Sequence, residues 1–245
     1  MNKKMQSPVI NLVPLISIAI LMHAPHLAAQ EVVLGWEGSS ASGYGFVSPV
    51  LTLQKGEQTS WLLRGAVSYL YYDSREIGGT TQVRSPGESL GIAFRYSGPQ
   101  LTATFGPGYE IRQTRRRLAS GVEARKTERG ATLQGDVFFQ ATPLTNVSLI
   151  AAYGDANKYF WVRGGVKQQI SNFTQQSDIT LHAGVELTRQ GNVDIKTSQA
   201  GGVFEFAFPQ SRSSLQLRSG YLQREYPDGT RESGPYFGVG FYRGF

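Results

Sequence analysis

From residue 31 onward, apolar and polar positions alternate with a period of two rather than 3.6, the signature of strands with two unlike faces. Leu101, Ala103, Phe105, Pro107, Tyr109 and Ile111 alternate with Thr102, Thr104, Gly106, Gly108 and Glu110. The same holds for Leu133, Gly135, Val137 and Phe139 against Thr132, Gln134, Asp136 and Gln140. Ile179, Leu181, Ala183, Val185 and Leu187 alternate with Thr180, His182, Gly184 and Glu186. The second face is small or polar and carries single charges at Arg64, Arg95, Glu110, Asp136, Arg163, Glu186, Glu205 and Arg218. Alternation and turn residues together predict about twelve strands, over 31–38, 43–53, 60–72, 88–96, 100–112, 130–141, 144–153, 158–170, 178–188, 197–208, 213–224 and 235–245. Most are near the ~9–11 residues that a tilted strand needs to cross a bilayer. The predicted fold class is all-β, a closed antiparallel transmembrane β-barrel.

Closure follows from hydrogen bonding. In hydrocarbon an unpaired backbone N–H or C=O costs several kcal/mol, so a spanning sheet must close on itself, which also removes its edges. An even strand number fits a bacterial single-chain barrel. Twelve strands predict a lumen wider than that of eight, which side chains just fill, and narrower than a sixteen-strand porin. Trp61, Tyr69, Tyr71, Tyr72, Tyr159 and Phe160 lie near strand ends and are expected at the membrane interfaces. The connections fall into two sets. Short turns are expected at 55–59, 97–99, 142–143, 171–177 and 209–212, and long loops at 73–87, 113–129, 188–200 and 223–234; 39–43 and 154–157 are short members of the second set. Short turns at one end and longer loops at the other is the outer-membrane pattern.

The N-terminus changes the picture by adding a destination. Lys3 and Lys4 precede a mostly apolar stretch from Val9 to Ala24, followed by Ala28 and Ala29, the layout of a secretory signal peptide. The expected organisation is a cleaved signal over 1–30 and a barrel domain over 31–245. An uncleaved anchor is the competing reading, although Asn11 and Pro14 interrupt the run. Phe237, Val239, Phe241 and Phe245 share one face of the last strand, resembling the terminal aromatic signal of outer-membrane barrels; an ordinary last strand of a soluble β-domain is the alternative.

Composition agrees without deciding. Mean hydropathy is −0.25, low because only alternate strand residues face lipid. With 29 Gly, 12 Tyr and 13 Phe the chain suits short strands with aromatic girdles, as it would suit a soluble sandwich. There is no Cys, so no disulfide framework. The formal charge is +6. Much of the excess sits between Arg112 and Gly130, where Arg112, Arg115, Arg116, Arg117, Arg125, Lys126 and Arg129 face only Glu123 and Glu128. In an exported protein this predicts a basic surface loop, with Arg115, Arg116, Arg117, Arg125 and Lys126 at its centre. It is read either as solvated or as meeting an anionic cell-surface partner, not nucleic acid.

Catalytic chemistry finds little support. Beyond residue 30 the only histidine is His182, on the inner face with Glu186, and no serine motif accompanies it. With no Cys and one such His, metal ligands are scarce. Asp136, Glu110, Glu186 and Glu205 all face inward, but glycosidase chemistry needs two carboxylates ~5–10 Å apart and the sequence shows no such pair. The sequence therefore predicts no enzyme, no cofactor, and no catalytic or metal site.

A family resemblance narrows the function. Gly35-Trp36-Glu37, Gly43-Tyr44-Gly45-Phe46, Trp61-Leu62-Leu63-Arg64, Tyr69-Leu70-Tyr71-Tyr72 and Gly106-Pro107-Gly108-Tyr109 resemble the BcsS family of cellulose biosynthesis proteins. So do Ala152-Tyr153-Gly154 with Tyr159-Phe160-Trp161-Val162-Arg163-Gly164-Gly165, then Gly220-Tyr221 and Gly234-Pro235-Tyr236-Phe237-Gly238-Val239-Gly240. The resemblance implies an outer-membrane protein associated with bacterial cellulose (β-glucan) biosynthesis and export, working as a non-catalytic pore or structural component. Implied partners are the outer-membrane bilayer, cellulose, and cellulose-synthase or export components. If Trp161, Arg163 and Lys167 face the lumen, they, with Arg64 and Glu186, are candidate glucan contacts; Trp161 as an interface anchor is the competing reading. The alternatives for the whole chain are an outer-membrane enzyme acting on lipid or glycan, a small general porin or adhesin, and a soluble periplasmic β-domain.

Overall fold

A computed structural model describes residues 30–76, 79–173 and 179–245. The expected signal segment up to residue 29 and part of the expected turn at 171–177 lie outside the described residues. Twelve strands follow in order: β1 (Glu31–Gly38), β2 (Ser42–Lys55), β3 (Thr59–Glu76), β4 (Gly79–Ser97), β5 (Leu101–Arg117), β6 (Glu123–Thr142), β7 (Thr145–Gly154), β8 (Tyr159–Phe173), β9 (Ile179–Gly191), β10 (Lys196–Phe208), β11 (Ser213–Glu225) and β12 (Arg231–Gly244). Each pairs antiparallel with its neighbours, and β1 pairs with β12 from Glu31↔Gly244 to Gly38↔Phe237, closing the barrel.

The period-two pattern decides which residues face out. Leu90, Phe105, Tyr109, Val185, Phe204 and Phe237 are large, apolar and exposed on the outer wall. A continuous apolar outer wall on a closed sheet is what hydrocarbon demands and water does not, and it places this barrel in the bacterial outer membrane. Three register shifts, at Thr52/Gln54, Gln140/Thr142 and Gln169/Ser171, sit at the end that carries the chain termini. Bulges at a barrel rim bend the strand and end the regular ladder there.

Two expectations need correction. The expected long loops at 73–87, 113–129, 188–200 and 223–234 are largely paired strand, with β9 and β10 paired out to Gly191↔Lys196 and β11 and β12 out to Glu225↔Arg231. β3 and β4 remain paired out to Glu76↔Gly79, and β5 and β6 to Arg117↔Glu123. The asymmetry between the ends therefore appears as strands that rise beyond the apolar wall, not as irregular loops. Above the membrane the outward face is wet and the inward Thr81, Val83 and Ser85 are buried in the mouth, so Thr80-Thr81-Gln82-Val83-Arg84-Ser85 loses its outward apolar signal while keeping its pairing. Second, Tyr72 and Tyr159 face the lumen, whereas Trp61, Tyr69, Tyr71 and Phe160 face outward. Neighbours on a strand point to opposite faces, so Tyr71 and Tyr72, or Tyr159 and Phe160, cannot share an interface.

Packing inside the lumen is tight where glycines line it. Gly201 and Gly220 are cross-strand partners, and Gly220 also opposes Tyr236. The buried Tyr236 ring lies back over both. A Cβ at Gly220 falls 2.5 Å from Gly201 Cα and 2.9 Å from Tyr236 Cε1. Gly220→Val is expected to destabilise the barrel by about 1–3 kcal/mol, read as a lower urea midpoint for loss of the folded electrophoretic band. Adding Tyr236→Ala is expected to leave most of that loss in place, because the contact with β10 is to backbone; full recovery would make the ring the sole obstacle.

Candidate functional site

The charges that alternation places inside are paired with one another. Arg64 donates to Asp136 Oδ1 at 2.7 Å, from β3 to β6. Arg112 bonds Glu110 Oε2 at 3.0 Å, the Ser85 carbonyl at 2.9 Å and Ser68 Oγ at 3.1 Å. Arg218 donates to Glu186 Oε2 at 2.8 Å. Arg95 pairs with Glu31, and Lys167 with Glu205. Asp136, Arg163, Glu186 and Arg112 are all buried. Buried charges are tolerated only when paired and hydrogen-bonded, and this lattice meets that demand strand by strand.

Some contacts cross the barrel rather than link neighbours. Arg163 on β8 donates to Glu37 on β1, and also to Thr188 Oγ1 at 3.0 Å. Its guanidinium sits 4.9 Å from the centre of the Trp161 ring. Tyr44 on β2 stacks with Tyr159 on β8, on opposite sides of a twelve-strand ring, with centroids 6.4 Å apart. Tyr159 donates to Gln190 Oε1 at 2.7 Å. An aromatic stack and an ion pair thus span the lumen.

A second closure lies at the mouth opposite the termini. Tyr72, Val83, Ile195 and Tyr226 form a buried apolar cluster from β3, β4 and the turns that follow β9 and β11. Asp194 in the β9–β10 turn accepts from Tyr72 Oη at 2.8 Å and from Arg116. Beside it opens a cavity of about 450 Å3 that includes Arg116, Lys126, Glu128, Lys158, Asn192 and Asp194 in its lining. At the rim, the hydrogen bond from Lys158 to Asp155 lifts the lysine ammonium above its ordinary range, so it stays cationic. Lys126 pairs with Glu128 Oε1 at 2.9 Å. The mouth is therefore mixed in charge and not a one-sign funnel.

The structure locates the expected residues as follows. Trp161, Arg163, Lys167, Arg64 and Glu186 all face the lumen, so Trp161 is not an outer-wall anchor. Their charges are engaged within the lattice. Arg115, Arg116, Arg117, Arg125 and Lys126 lie on β5 and β6 and not in a loop; only residues 118–122 turn. Alternation splits them, with Arg116 and Lys126 inward to the mouth and Arg115, Arg117 and Arg125 on the outward face, Arg125 also bordering the mouth cavity. Sequence reading missed Glu31, Glu37, Tyr44 and Asp194 as lumen partners. Glu31 and Glu37 share a face with Gly35 on β1, but nothing local marks which cation each meets. Among the described residues no three His, Cys, Asp or Glu side chains gather to hold a metal. His182 stands opposite Glu205 with a buried, unbonded Nδ1.

Comparison with known proteins adds the following. Among solved structures, the chain is similar to LpxR from Salmonella typhimurium, with 10% identity over 88% of this chain and 100% of that one and a TM-score of 0.49. It is also similar to the beta domain of the Bordetella autotransporter BrkA, with 15% identity over 88% and 97% of the two chains and a TM-score of 0.48. For the KdgM porin in complex with oligogalacturonate the figures are 11%, 88%, 99% and 0.46. No curated protein matches the sequence. The model of the family described as cellulose biosynthesis protein BcsS matches residues 29–245, the whole of the barrel, and the chain belongs to that family.

Proposed function

We propose that this barrel is a non-catalytic structural component of the bacterial apparatus for cellulose biosynthesis and export, carried to the outer membrane by an export signal within residues 1–30. The observation that supports a structural part over an open conduit is the crossing of the lumen by Tyr44–Tyr159 and Arg163–Glu37. A β-glucan strand needs a continuous passage, and both contacts stand in its way. Arg64, Arg163, Lys167 and Glu186 serve the internal charge lattice, Trp161 backs Arg163, and contact with glucan or with synthase and export partners falls to the mouth.

Two measurements test this. In a clean deletion strain, surface cellulose is expected to fall while the synthase level stays normal. Unchanged cellulose in every fraction would remove the protein from glucan export altogether. In planar bilayers the purified protein is expected to show no steady porin-scale conductance. The Tyr44→Ala/Tyr159→Ala variant, which deletes the stack, is expected to conduct measurably more. A large steady conductance from the unaltered protein would restore the open-pore reading.

A further inference from the structure

The outer wall of β4, β5 and β6 changes character sharply along its length. Leu90, Tyr109, Ile111 and Leu133 are exposed and apolar. Beyond them the same outward positions carry Arg84, Arg115, Arg117, Arg125 and Arg129, while Arg112, Thr114 and Arg116 between them point inward. Along β5 the step from Ile111 to Arg115 is four residues, roughly 13 Å of strand, or about 10 Å of height at the usual barrel tilt. Arg129 pairs directly with Ile111 and so sits at the edge of the apolar wall. Arg129 therefore lies at the inner edge of the headgroup layer, which extends some 5–8 Å beyond the hydrocarbon on each side, while Arg115 and, higher still, Arg117 start beyond it, so their long side chains reach its phosphates by leaning back along the wall.

This patch is poorly neutralised from within. Its outward acids are Glu88 and Glu123; Glu123 accepts from Arg125 at 2.7 Å, stands opposite Arg117 and also feels the charges of Arg115 and Arg117, which leaves five cations against two carboxylates. Arg84, Arg115, Arg117 and Arg129 form no ion pair among the described residues. Arg84, Arg115 and Arg125 are moreover cross-strand neighbours in one row of three adjacent strands. Like charges directly opposite one another destabilise a sheet, and an anion seated on the row relieves that repulsion. All five are arginine, whose planar fork binds phosphate through two parallel hydrogen bonds.

We propose that, with the short-turn end that carries the termini on the periplasmic side as in bacterial barrels, the outer face of β4–β6 above the apolar wall binds the phosphate groups of outer-leaflet lipid, fixing the barrel to a diphosphorylated lipid of the lipid A type. The site is independent of any role in glucan export. Its neutral rim, Gln82, Gln113 and Thr127, supplies further hydrogen-bonding groups on the same wall.

The test uses the full barrel in neutral detergent and native mass spectrometry. The probes are diphosphoryl lipid A, the same lipid with its phosphates removed, and a soluble acidic polysaccharide, polygalacturonate. The unaltered protein is expected to bind diphosphoryl lipid A at least tenfold more tightly than the dephosphorylated lipid or the polysaccharide, with affinity falling as salt rises. In Arg84→Gln/Arg115→Gln/Arg117→Gln/Arg129→Gln the preference is expected to disappear, while the all-Lys counterpart retains part of it. Equal binding of phosphorylated and dephosphorylated lipid by the unaltered protein overturns the proposal without any variant. So does an undiminished preference in the folded Gln variant, or tighter binding of polygalacturonate, which would assign the patch to a soluble polyanion.

Discussion

Arg163→Met is expected to destabilise the folded barrel by about 3–5 kcal/mol, the usual cost of leaving a buried charge without its partner. Arg163 is 8% exposed. Its guanidinium reaches Glu37 across the lumen, Thr188 at 3.0 Å and Glu186 at 4.0 Å. Glu186 keeps Arg218 when Arg163 is removed. Glu37 keeps no ion-pair partner among the described residues, so most of the loss falls there. The double variant Arg163→Met/Glu37→Gln is therefore expected to recover a large part of it, because the uncompensated charge has gone. Arg163→Lys keeps the charge but loses the fork and the ring contact, and should fall between. Urea midpoints of the folded electrophoretic band measure all three. If the double variant is no more stable than Arg163→Met alone, packing against Trp161 outweighs the charge, and the lattice account is wrong.

How much of this was legible in the sequence differs from one feature to the next. On β5 the run from Leu101 to Ile111 shows both the strand and its outward face, because lipid on one side and lumen on the other force unlike residues. Two residues later, Gln113-Thr114-Arg115-Arg116 is still strand, yet its outward side has left lipid for water and its inward Thr114 and Arg116 bond to polar partners in the mouth, so the contrast is lost and the segment reads as a basic loop. Alternation also tells the face of a residue but not its angle around the barrel. Arg163 was recognisable as an inward charge; its partner Glu37, 126 residues away, was not. Pairing between distant strands is set by strand count, tilt and closure together, none of which a single strand encodes. The same limit hid the Tyr44–Tyr159 stack, although each tyrosine lies in a conspicuous aromatic segment. The lumen was thus foreseen as polar and charged, and its crossing emerges only when the sheet closes.

Val185→Arg is expected to cost about 2–4 kcal/mol, the penalty for a cation on the lipid face near the membrane midplane. Val185 is 66% exposed on the outer wall of β9, between Ala183 and Leu187, and its cross-strand neighbours are Val166 and Gly202. An exposed valine of a soluble protein gives up nothing of this size when it becomes arginine, since surface substitutions usually stay within about 0.5 kcal/mol. The comparison is Val122→Arg. Val122 is 58% exposed in the β5–β6 turn, beyond the last outward arginine of β5. In lipid vesicles Val122→Arg is expected to leave the urea midpoint in place while Val185→Arg lowers it. Leu187→Arg, one outward step up the same strand, should show the penalty shrinking as the wall nears the end of the hydrocarbon, and at the next outward position the chain already carries Arg189. Equal effects at Val185 and Val122 would mean that water, not lipid, surrounds β9. A graded loss centred on Val185 fixes the depth of the barrel and, with it, the height at which the outward arginines of β4–β6 meet the headgroup layer.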